Sequence, residues 1–109
     1  TICNHERILM EITKTPTENG LTIYLTGRLD TITSVKLTED IDEILAAGKT
    51  NLLLDLTRLE YISSAGLRVL LVAHKRTLAQ GTKLEITGAN ETIQEIFKIT
   101  GFSGILNLI

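Results

Sequence analysis

The chain has 109 residues, 43% of them hydrophobic and 22% charged, with a formal net charge of −2. This length and composition fit one globular domain and leave little room for a second. The basic residues are scattered, which argues against a nucleic-acid surface, and no apolar run approaches the roughly 20 residues of a transmembrane helix. The single cysteine, Cys3, is typical of a free thiol in a reducing compartment. We therefore expect a cytoplasmic protein with no nucleic-acid partner and no membrane partner.

The first segments of the chain predict a β-hairpin. Residues 8–13 have the character of a strand, and residues 21–26 alternate apolar and polar side chains with the period of a half-buried strand. Residues 15–20 between them end in Asn-Gly, which is turn chemistry. Residues 27–30 are then expected to leave the sheet. We expect residues 1–7, which precede the hairpin, to form a poorly ordered N-terminal segment.

A helix and a buried strand are predicted next. Thr33 or Ser34 can cap the helix, and Gly48 ends it. The continuous apolar run of residues 51–56 predicts a short strand in the buried middle of a parallel sheet. The apolar stripe of the helix comprises Val35, Leu37, Ile41, Ile44 and Leu45.

The rest of the chain predicts two more helices and two more strands. The second helix spans residues 64–80, and a strand at residues 84–86 follows it. Asn90 is expected to cap the third helix and Gly101 to end it, which leaves residues 105–109 for a last short strand. The apolar face of the third helix comprises Ile93, Ile96 and Phe97.

This order of strands and helices is typical of an α/β protein. Right-handed crossovers place the helices against a mostly parallel sheet, to which the N-terminal hairpin adds an antiparallel edge. We expect a single domain, residues 1–109, with a mixed, mostly parallel sheet of about five strands. Functional loops are expected at the carboxyl ends of the parallel strands, at residues 27–32, 57–63 and 88–90.

The sequence contains no recognisable catalytic or metal-binding set of residues. Of the two histidines, His5 lies near the N-terminus and His74 lies inside the second helix, about 15 Å from Ser64 at about 1.5 Å per residue. No His, Cys or carboxylate pair has metal-ligand spacing. Asp55, at the end of a predicted strand, is better explained as a turn-forming residue than as a catalytic one. We expect no catalytic residue, no metal and no cofactor.

Two adjacent serines, Ser63 and Ser64, occupy the position where the second helix must begin. One of them must be the N-cap, which contributes roughly 0.5–2 kcal/mol. A phosphoryl group there would meet free backbone N–H groups and the positive end of the helix dipole. It would add about −1.5 to −2 charge beside Asp30, Asp55 or Glu60, if those loops converge. The residues alone leave both a structural cap and a regulatory phosphosite open.

Five segments of the chain carry a family resemblance, at residues 27–30, 52–56, 61–67, 80–84 and 96–102. The first looks like the family's Gly-Glu-Leu-Asp, and the third, Tyr-Ile-Ser-Ser-Ala-Gly-Leu, looks like its signature. In this order and spacing they resemble the bacterial anti-sigma factor antagonists of the STAS family, the sulfate transporter and anti-sigma factor antagonist domains. The resemblance covers nearly the whole chain and implies the same α/β fold.

The resemblance also implies a set of functional residues. Carried over by position, the phosphorylated serine of the family falls on Ser64. Ser63 occupies a position where many antagonists have Asp, which removes a local negative charge. Asp30 matches an acid that lies beside the phosphosite and helps to engage the partner. Gly66 would let the first helical turn approach a neighbouring loop closely, and Arg68 belongs to the exposed flank expected to contact the partner.

The mechanism implied by the resemblance is partner switching. The unphosphorylated protein would bind an anti-sigma factor, itself a serine kinase with a GHKL-type ATP site, and so release a sigma factor. The kinase would phosphorylate Ser64 and end the complex, and a PP2C-type phosphatase would reset the switch. The chain would be a substrate and binding module, not an enzyme. Two alternatives stay open: an interaction module or scaffold subunit that is not phosphorylated, and a STAS domain trimmed from a larger protein.

Overall fold

The computed structural model describes residues 10–109, which form a five-stranded sheet and three α-helices. The predicted N-terminal segment, residues 1–7, and the predicted start of the first strand at residue 8 lie outside the described residues. The strands are β1 (Met10–Pro16), β2 (Gly20–Leu29), β3 (Asn51–Ile62), β4 (Leu84–Thr87) and β5 (Asn107–Leu108). The helices are α1 (Thr33–Ala47), α2 (Ser64–Gln80) and α3 (Glu91–Thr100), which a short 3₁₀ helix (Phe102–Gly104) follows.

The strands lie in the sheet in their order along the chain. β1 pairs antiparallel with β2, whereas β2 to β5 are parallel to one another. The hairpin pairs Met10 with Gly27 at its open end, and a hydrogen bond from Thr17 N to Gly20 O (2.8 Å) closes its turn. The predicted mixed, mostly parallel sheet with an N-terminal hairpin is confirmed.

The core lies on one face of the sheet. Alternate side chains along the central strands are buried, such as Leu52 and Leu54 of β3, while Tyr24 on the opposite face of β2 is exposed. The buried strand residues form a single cluster with side chains from all three helices, and full burial of each such side chain contributes about 1.5–3 kcal/mol. The helical members of the cluster are Leu37, Ile41, Leu45, Leu67, Leu70, Ala73, Ile93 and Phe97.

β3 is longer than predicted. Two β-bulges interrupt the period-2 alternation of buried and exposed side chains in its second half, so the sequence pattern did not indicate a strand there. β3 has 12 residues and lies beside the 10 residues of β2, with two register shifts between them. Each shift adds one residue to β3, so the spacing of its buried side chains grows from two residues to three, at Leu56, Leu59 and Ile62. The prediction that this strand ends at Leu56 and that residues 57–63 form a loop is therefore wrong.

β2 also extends further than predicted. Residues 27–29 remain paired with β3, and only Asp30 leaves the sheet. Gly27 has a φ of 107°, a conformation that glycine adopts readily and that is common where a strand is irregular. The prediction that residues 27–30 leave the sheet is wrong for the first three, because Gly27 interrupts the apolar alternation without ending the strand.

α2 and α3 begin and end at the predicted residues. α2 spans Ser64–Gln80 and is followed by Gly81 in the left-handed conformation that commonly ends a helix. The Asn90 side chain accepts a hydrogen bond from Ile93 N (2.8 Å) and so caps α3, which Gly101 ends in the same way as Gly81 ends α2. These local signals are sufficient to place both helices.

α1 and β5 depart from the prediction in detail. α1 ends at Gly48 as expected, but Val35 of its predicted apolar stripe is 58% exposed. Val35 precedes the fully buried Leu37 by two residues, which at about 100° per residue places the two side chains on nearly opposite sides of the helix. The final strand is shorter than predicted and contains only Asn107–Leu108.

Candidate functional site

Two helices begin side by side at the edge of the sheet that is formed by the carboxyl ends of its parallel strands. Leu29, the last residue of β2, pairs with Ile62, the last residue of β3, and Ser63 N donates a hydrogen bond to Leu29 O (2.9 Å). From these strand ends the chain enters α1 at Thr33 and α2 at Ser64. A helix N-terminus has a partial positive charge and free N–H groups, so this edge of the sheet has two such centres close together.

The two serines at this edge have different environments. Ser63 is the N-cap of α2: its backbone is extended, it is half-buried, and its Oγ accepts a hydrogen bond from Gly66 N (3.2 Å). Ser64 is the first residue of α2, and its side chain is exposed. Arg68 follows one turn later and is also exposed. Because Ser63 supplies the cap, the helix does not need the Ser64 hydroxyl. Because Ser64 is exposed, its hydroxyl is accessible to another protein.

Gly66 lets the first turn of α2 lie directly on the ends of β2 and β3. A Cβ at this buried position would lie 2.8 Å from Leu29 Cγ and 2.9 Å from Ile62 Cγ1, distances that real side chains do not tolerate. The close approach is therefore to two core side chains, not to a loop. As a partner-binding residue Gly66 stays a prediction, and its burial means that it would act by setting the position of α2.

Asp30 caps α1. Its Oδ1 accepts hydrogen bonds from Ile32 N and Thr33 N, both at 3.0 Å, while Thr33 Oγ1 accepts one from Asp30 N (2.8 Å). The Ser34 hydroxyl donates to Asp30 O. The prediction that Thr33 or Ser34 caps this helix is therefore wrong, because the carboxylate of the preceding loop reaches the first free N–H groups.

The same hydrogen bonds act on the charge of Asp30. The pKa of Asp30 lies below its ordinary value of 3.8, chiefly because the Thr33 N–H donates to the carboxylate. Burial opposes this lowering of the pKa, whereas the Thr33 hydroxyl, the Ile32 N–H and the charge of Arg28 reinforce it. Asp30 is therefore ionised at neutral pH and places a negative charge in the segment that borders Ser63.

A cation–π pair beside the serines was missed by the sequence analysis. The guanidinium carbon of Arg28 lies 4.3 Å from the centroid of the Tyr61 ring, and the two residues are register partners on β2 and β3. Such a pair at an exposed site contributes about 0.5–1 kcal/mol. The sequence signal that could have indicated this pair is Arg28 itself, which stands where the family segment Gly-Glu-Leu-Asp has glutamate. The pair fixes a positive charge near the strand ends that lead into Asp30 and Ser63.

Asp55 does not lie beside the serines. It is in the middle of β3, seven positions before Ile62, or about 20 Å along a strand. Its Oδ1 accepts a hydrogen bond from Thr57 N (2.9 Å), a local contact at the first bulge. The suggested convergence of Asp55 with the serines is therefore wrong. Glu60 lies closer, two residues before Ile62, with an exposed side chain.

The described residues do not assemble a metal site. Within residues 10–109, no group of three or more His, Cys, Asp or Glu side chains is placed to hold a metal ion. His74 is 8% exposed, on the buried side of α2, and His5 lies outside the described residues. The same range contains no helix with the length and apolar character needed to span a membrane.

Comparison with known proteins identifies the family. A family model described as the STAS domain matches residues 10–109. The chain belongs to the STAS domain family. This STAS domain is 31% identical over 96 residues to BtrV of Bordetella bronchiseptica, whose name assigns it provisionally to the anti-sigma factor antagonists; the match covers 88% of this chain and 83% of BtrV. It is 29% identical over 101 residues to the anti-sigma-B factor antagonist of Listeria monocytogenes, covering 93% and 88% of the two chains.

Solved structures share the STAS fold. An anti-sigma factor antagonist from Mycobacterium paratuberculosis has a TM-score of 0.82 and 18% identity, covering 91% of this chain and 84% of that one. The antagonist SpoIIAA in its unphosphorylated form has a TM-score of 0.69 and 16% identity, covering 92% and 86%. At these identities the likeness shows the fold alone. The two curated relatives have the names of antagonists and not of enzymes, in agreement with the prediction that the chain is not an enzyme.

Enlarging Gly66 should destabilise the protein. We expect Gly66→Ala to lower the free energy of unfolding by about 1–3 kcal/mol, because the added methyl enters space that Leu29 and Ile62 occupy. The higher helix propensity of alanine offsets only part of this loss. Urea denaturation followed by circular dichroism measures it. Gly104→Ala is the control, since nothing lies within 4 Å of a Cβ there; equal losses in the two variants would contradict the packing role.

Removing the Asp30 cap should have a pH-dependent effect. Because folding lowers the pKa of Asp30, its carboxylate stabilises the protein above the ordinary value of 3.8, and this stabilisation is lost as the pH falls through the lower folded pKa. The difference in unfolding free energy between wild type and Asp30→Ala should therefore have its largest value near neutral pH and decrease below about pH 4. Asp30→Asn, which keeps one acceptor oxygen, should lose less than Asp30→Ala. Urea titrations at several pH values test both expectations, and a pH-independent difference would refute the assignment.

Proposed function

We propose that this STAS domain is an anti-sigma factor antagonist that is switched by phosphorylation of Ser64. In this role it binds an anti-sigma factor and thereby frees a sigma factor for transcription. The names of the curated relatives support the proposal, since the chain matches them over most of their length. So does the shape of the site, an accessible surface at two helix N-termini.

The observation that carries the proposal is the division of roles between the two serines. Ser63 Oγ accepts the capping hydrogen bond from Gly66 N, so the helix does not depend on the side chain of Ser64. Ser64 is exposed at the first position of α2. A kinase can therefore phosphorylate Ser64 while the cap on α2 stays intact, and the modified protein keeps the fold that the phosphatase must recognise.

Phosphorylation of Ser64 would act through charge. A phosphoserine adds about −1.5 to −2 charge, which the N-terminus of α2 accommodates through its free N–H groups and its dipole. The neighbouring strand end already leads into the ionised carboxylate of Asp30. A partner that packs closely on this edge, or that presents an acidic group to it, would be repelled by the combined negative charge.

The proposed partners supply the chemistry. The kinase in this scheme is the anti-sigma factor itself, with a GHKL-type ATP site, and a PP2C-type phosphatase removes the phosphate in the cytoplasm of a bacterial cell. The chain is their substrate and needs no cofactor of its own. Gly66 would contribute through packing and the other residues through direct contact. The proposed partner-binding residues are Asp30, Ser63, Ser64, Gly66 and Arg68.

Phosphorylation is tested by intact-mass spectrometry after incubation with a purified GHKL-type anti-sigma factor kinase and ATP. We expect a single phosphate on the wild type and on Ser63→Ala, and none on Ser64→Ala. Ser63→Ala serves as the matched control, because it should lose about 0.5–2 kcal/mol of stability with the cap and yet remain a substrate. A phosphate that persists on Ser64→Ala would refute the site.

Binding to the same kinase tests the switch. We expect Ser64→Ala to bind like the unphosphorylated wild type and Ser64→Asp to bind about tenfold more weakly or worse, which is at least about 1.4 kcal/mol. Isothermal titration calorimetry measures both affinities. Binding without any phosphorylation, by a kinase that is active on another substrate, would instead favour an interaction module that is not switched, in line with the serine at position 63 where many antagonists have Asp.

A further inference from the structure

α1 and α2 enclose a groove that starts beside Ser64. Both helices run back from the edge where β2 and β3 end, and their facing sides leave an open groove of about 240 Å³ between them. On α2, three residues spaced by one turn line the groove, and Ser64 precedes the first of them by one further turn. The lining residues are Thr38, Ile41 and Asp42 of α1 and Arg68, Val69, Val72, Ala73 and Arg76 of α2.

Exposed aliphatic side chains lie on the segments that form this groove or lead into them. Val72 lines it and is 48% exposed. On α1, Val35 precedes the lining residue Thr38 by three positions, hence lies on the same side of the helix, and is 58% exposed. Ile32, in the loop that Asp30 holds in place, is 71% exposed. Single exposed aliphatic residues are ordinary, but exposed ones on the two helix faces that form a groove extend its apolar surface, as in protein-binding sites.

The charges along the groove differ at its two ends. Asp42 and Arg76 face each other across the far end and form an ion pair. Arg68, at the end near Ser64, makes no ion pair with any residue of the range 10–109. One cationic group is therefore available to a partner at the end of the groove that adjoins the proposed phosphosite.

The size of the groove argues for a protein side chain as its occupant. Pockets for small molecules have volumes of about 300–1,000 Å³ and enclose most of the ligand, whereas this groove is smaller and open. We propose that it binds an aliphatic side chain of the anti-sigma factor kinase, and that a carboxylate next to that side chain pairs with Arg68. This inference rests on the proposed function and adds the part of the surface that gives affinity and selects the partner.

The spacing of Ser64 and Arg68 links the groove to the switch. The two residues are four positions apart on α2, the separation at which opposite charges on a helix attract each other. A phosphoryl group on Ser64 would draw the guanidinium of Arg68 towards itself and away from the carboxylate of the partner. Phosphorylation would then weaken the complex in two ways, by repelling the partner and by occupying the arginine that holds it.

Charged substitutions on two exposed aliphatic residues of α2 test the groove. We expect Val72→Asp to lower the affinity of the unphosphorylated protein for the kinase at least tenfold and to slow phosphorylation of Ser64. Leu78→Asp is the matched control, because Leu78 is 58% exposed on the same helix and does not line the groove; its affinity should stay within twofold of wild type. Circular dichroism and thermal melting establish that both variants are folded.

Charge reversal tests the role of Arg68. We expect Arg68→Glu to bind the kinase at least tenfold more weakly and with less dependence on salt than wild type, since a charge pair is removed. Lys75→Glu, also on the exposed side of α2, should change both quantities much less. If Val72→Asp and Arg68→Glu bind as wild type does while Ser64 is still phosphorylated, the groove is overturned and the proposed function stands. If the wild type is neither bound nor phosphorylated, both are overturned.

Discussion

The hydrogen bond from Ser63 N to Leu29 O joins the ends of β2 and β3 at the point where the chain turns back into its first two helices. Every other feature of the site depends on this junction. The absence of a side chain at Gly66 lets α2 rest on Leu29 and Ile62, so the helix starts in contact with both strands. The same strand ends lead into the Asp30 loop and α1. Parts of the chain more than 30 residues apart in sequence therefore hold a fixed relation at one edge.

At this edge, some polar groups are engaged within the protein and others remain available. Asp30 is engaged by the N–H groups of α1, and Ser63 Oγ by the first turn of α2. The Arg28 guanidinium lies over the Tyr61 ring. The Ser64 hydroxyl and the Arg68 guanidinium are exposed, and they are neighbours on one helix. Since the cap on α2 is supplied by Ser63, the proposed change of charge at Ser64 would act on the surface and leave the capping hydrogen bond in place.

The features that could be predicted from the sequence are those with a local cause. The position of α2 could be predicted from Ser63, Ser64 and Gly81, because the capping interactions that begin and end a helix involve residues within one turn of its ends. The order of strands and helices predicted the parallel sheet, because a helix between two strands returns the chain to the end of the sheet where the first strand began. The pattern of the segment around Ser64 was specific enough to predict the STAS family, which the family model confirms, whereas the site residues assigned by that resemblance stay a prediction.

The features that could not be predicted depend on contacts between distant segments. Nothing in residues 57–62 indicates a strand, because the two bulges exist only through the pairing with β2. Val35 has the character of a core residue, yet its place on α1 turns it away from the sheet. The capping role of Asp30 was missed because Thr33 and Ser34 are also capping residues by type, although both lie within the first turn of α1 and so come too late to cap it.

The bulges in β3 also determine where the protein can vary in length. β3 has two residues more than β2 up to the level of Leu29 and Ile62, because each bulge advances the chain by one residue without changing which later side chains face the core. A single deletion between Leu56 and Leu59 would convert one bulge into regular pairing, so the residues after it would still face the core. A deletion in the regular first half of β3, by contrast, would turn the following side chains to the opposite face. Insertions and deletions are better tolerated at the hairpin turn after Pro16, where the register of the parallel strands is unaffected.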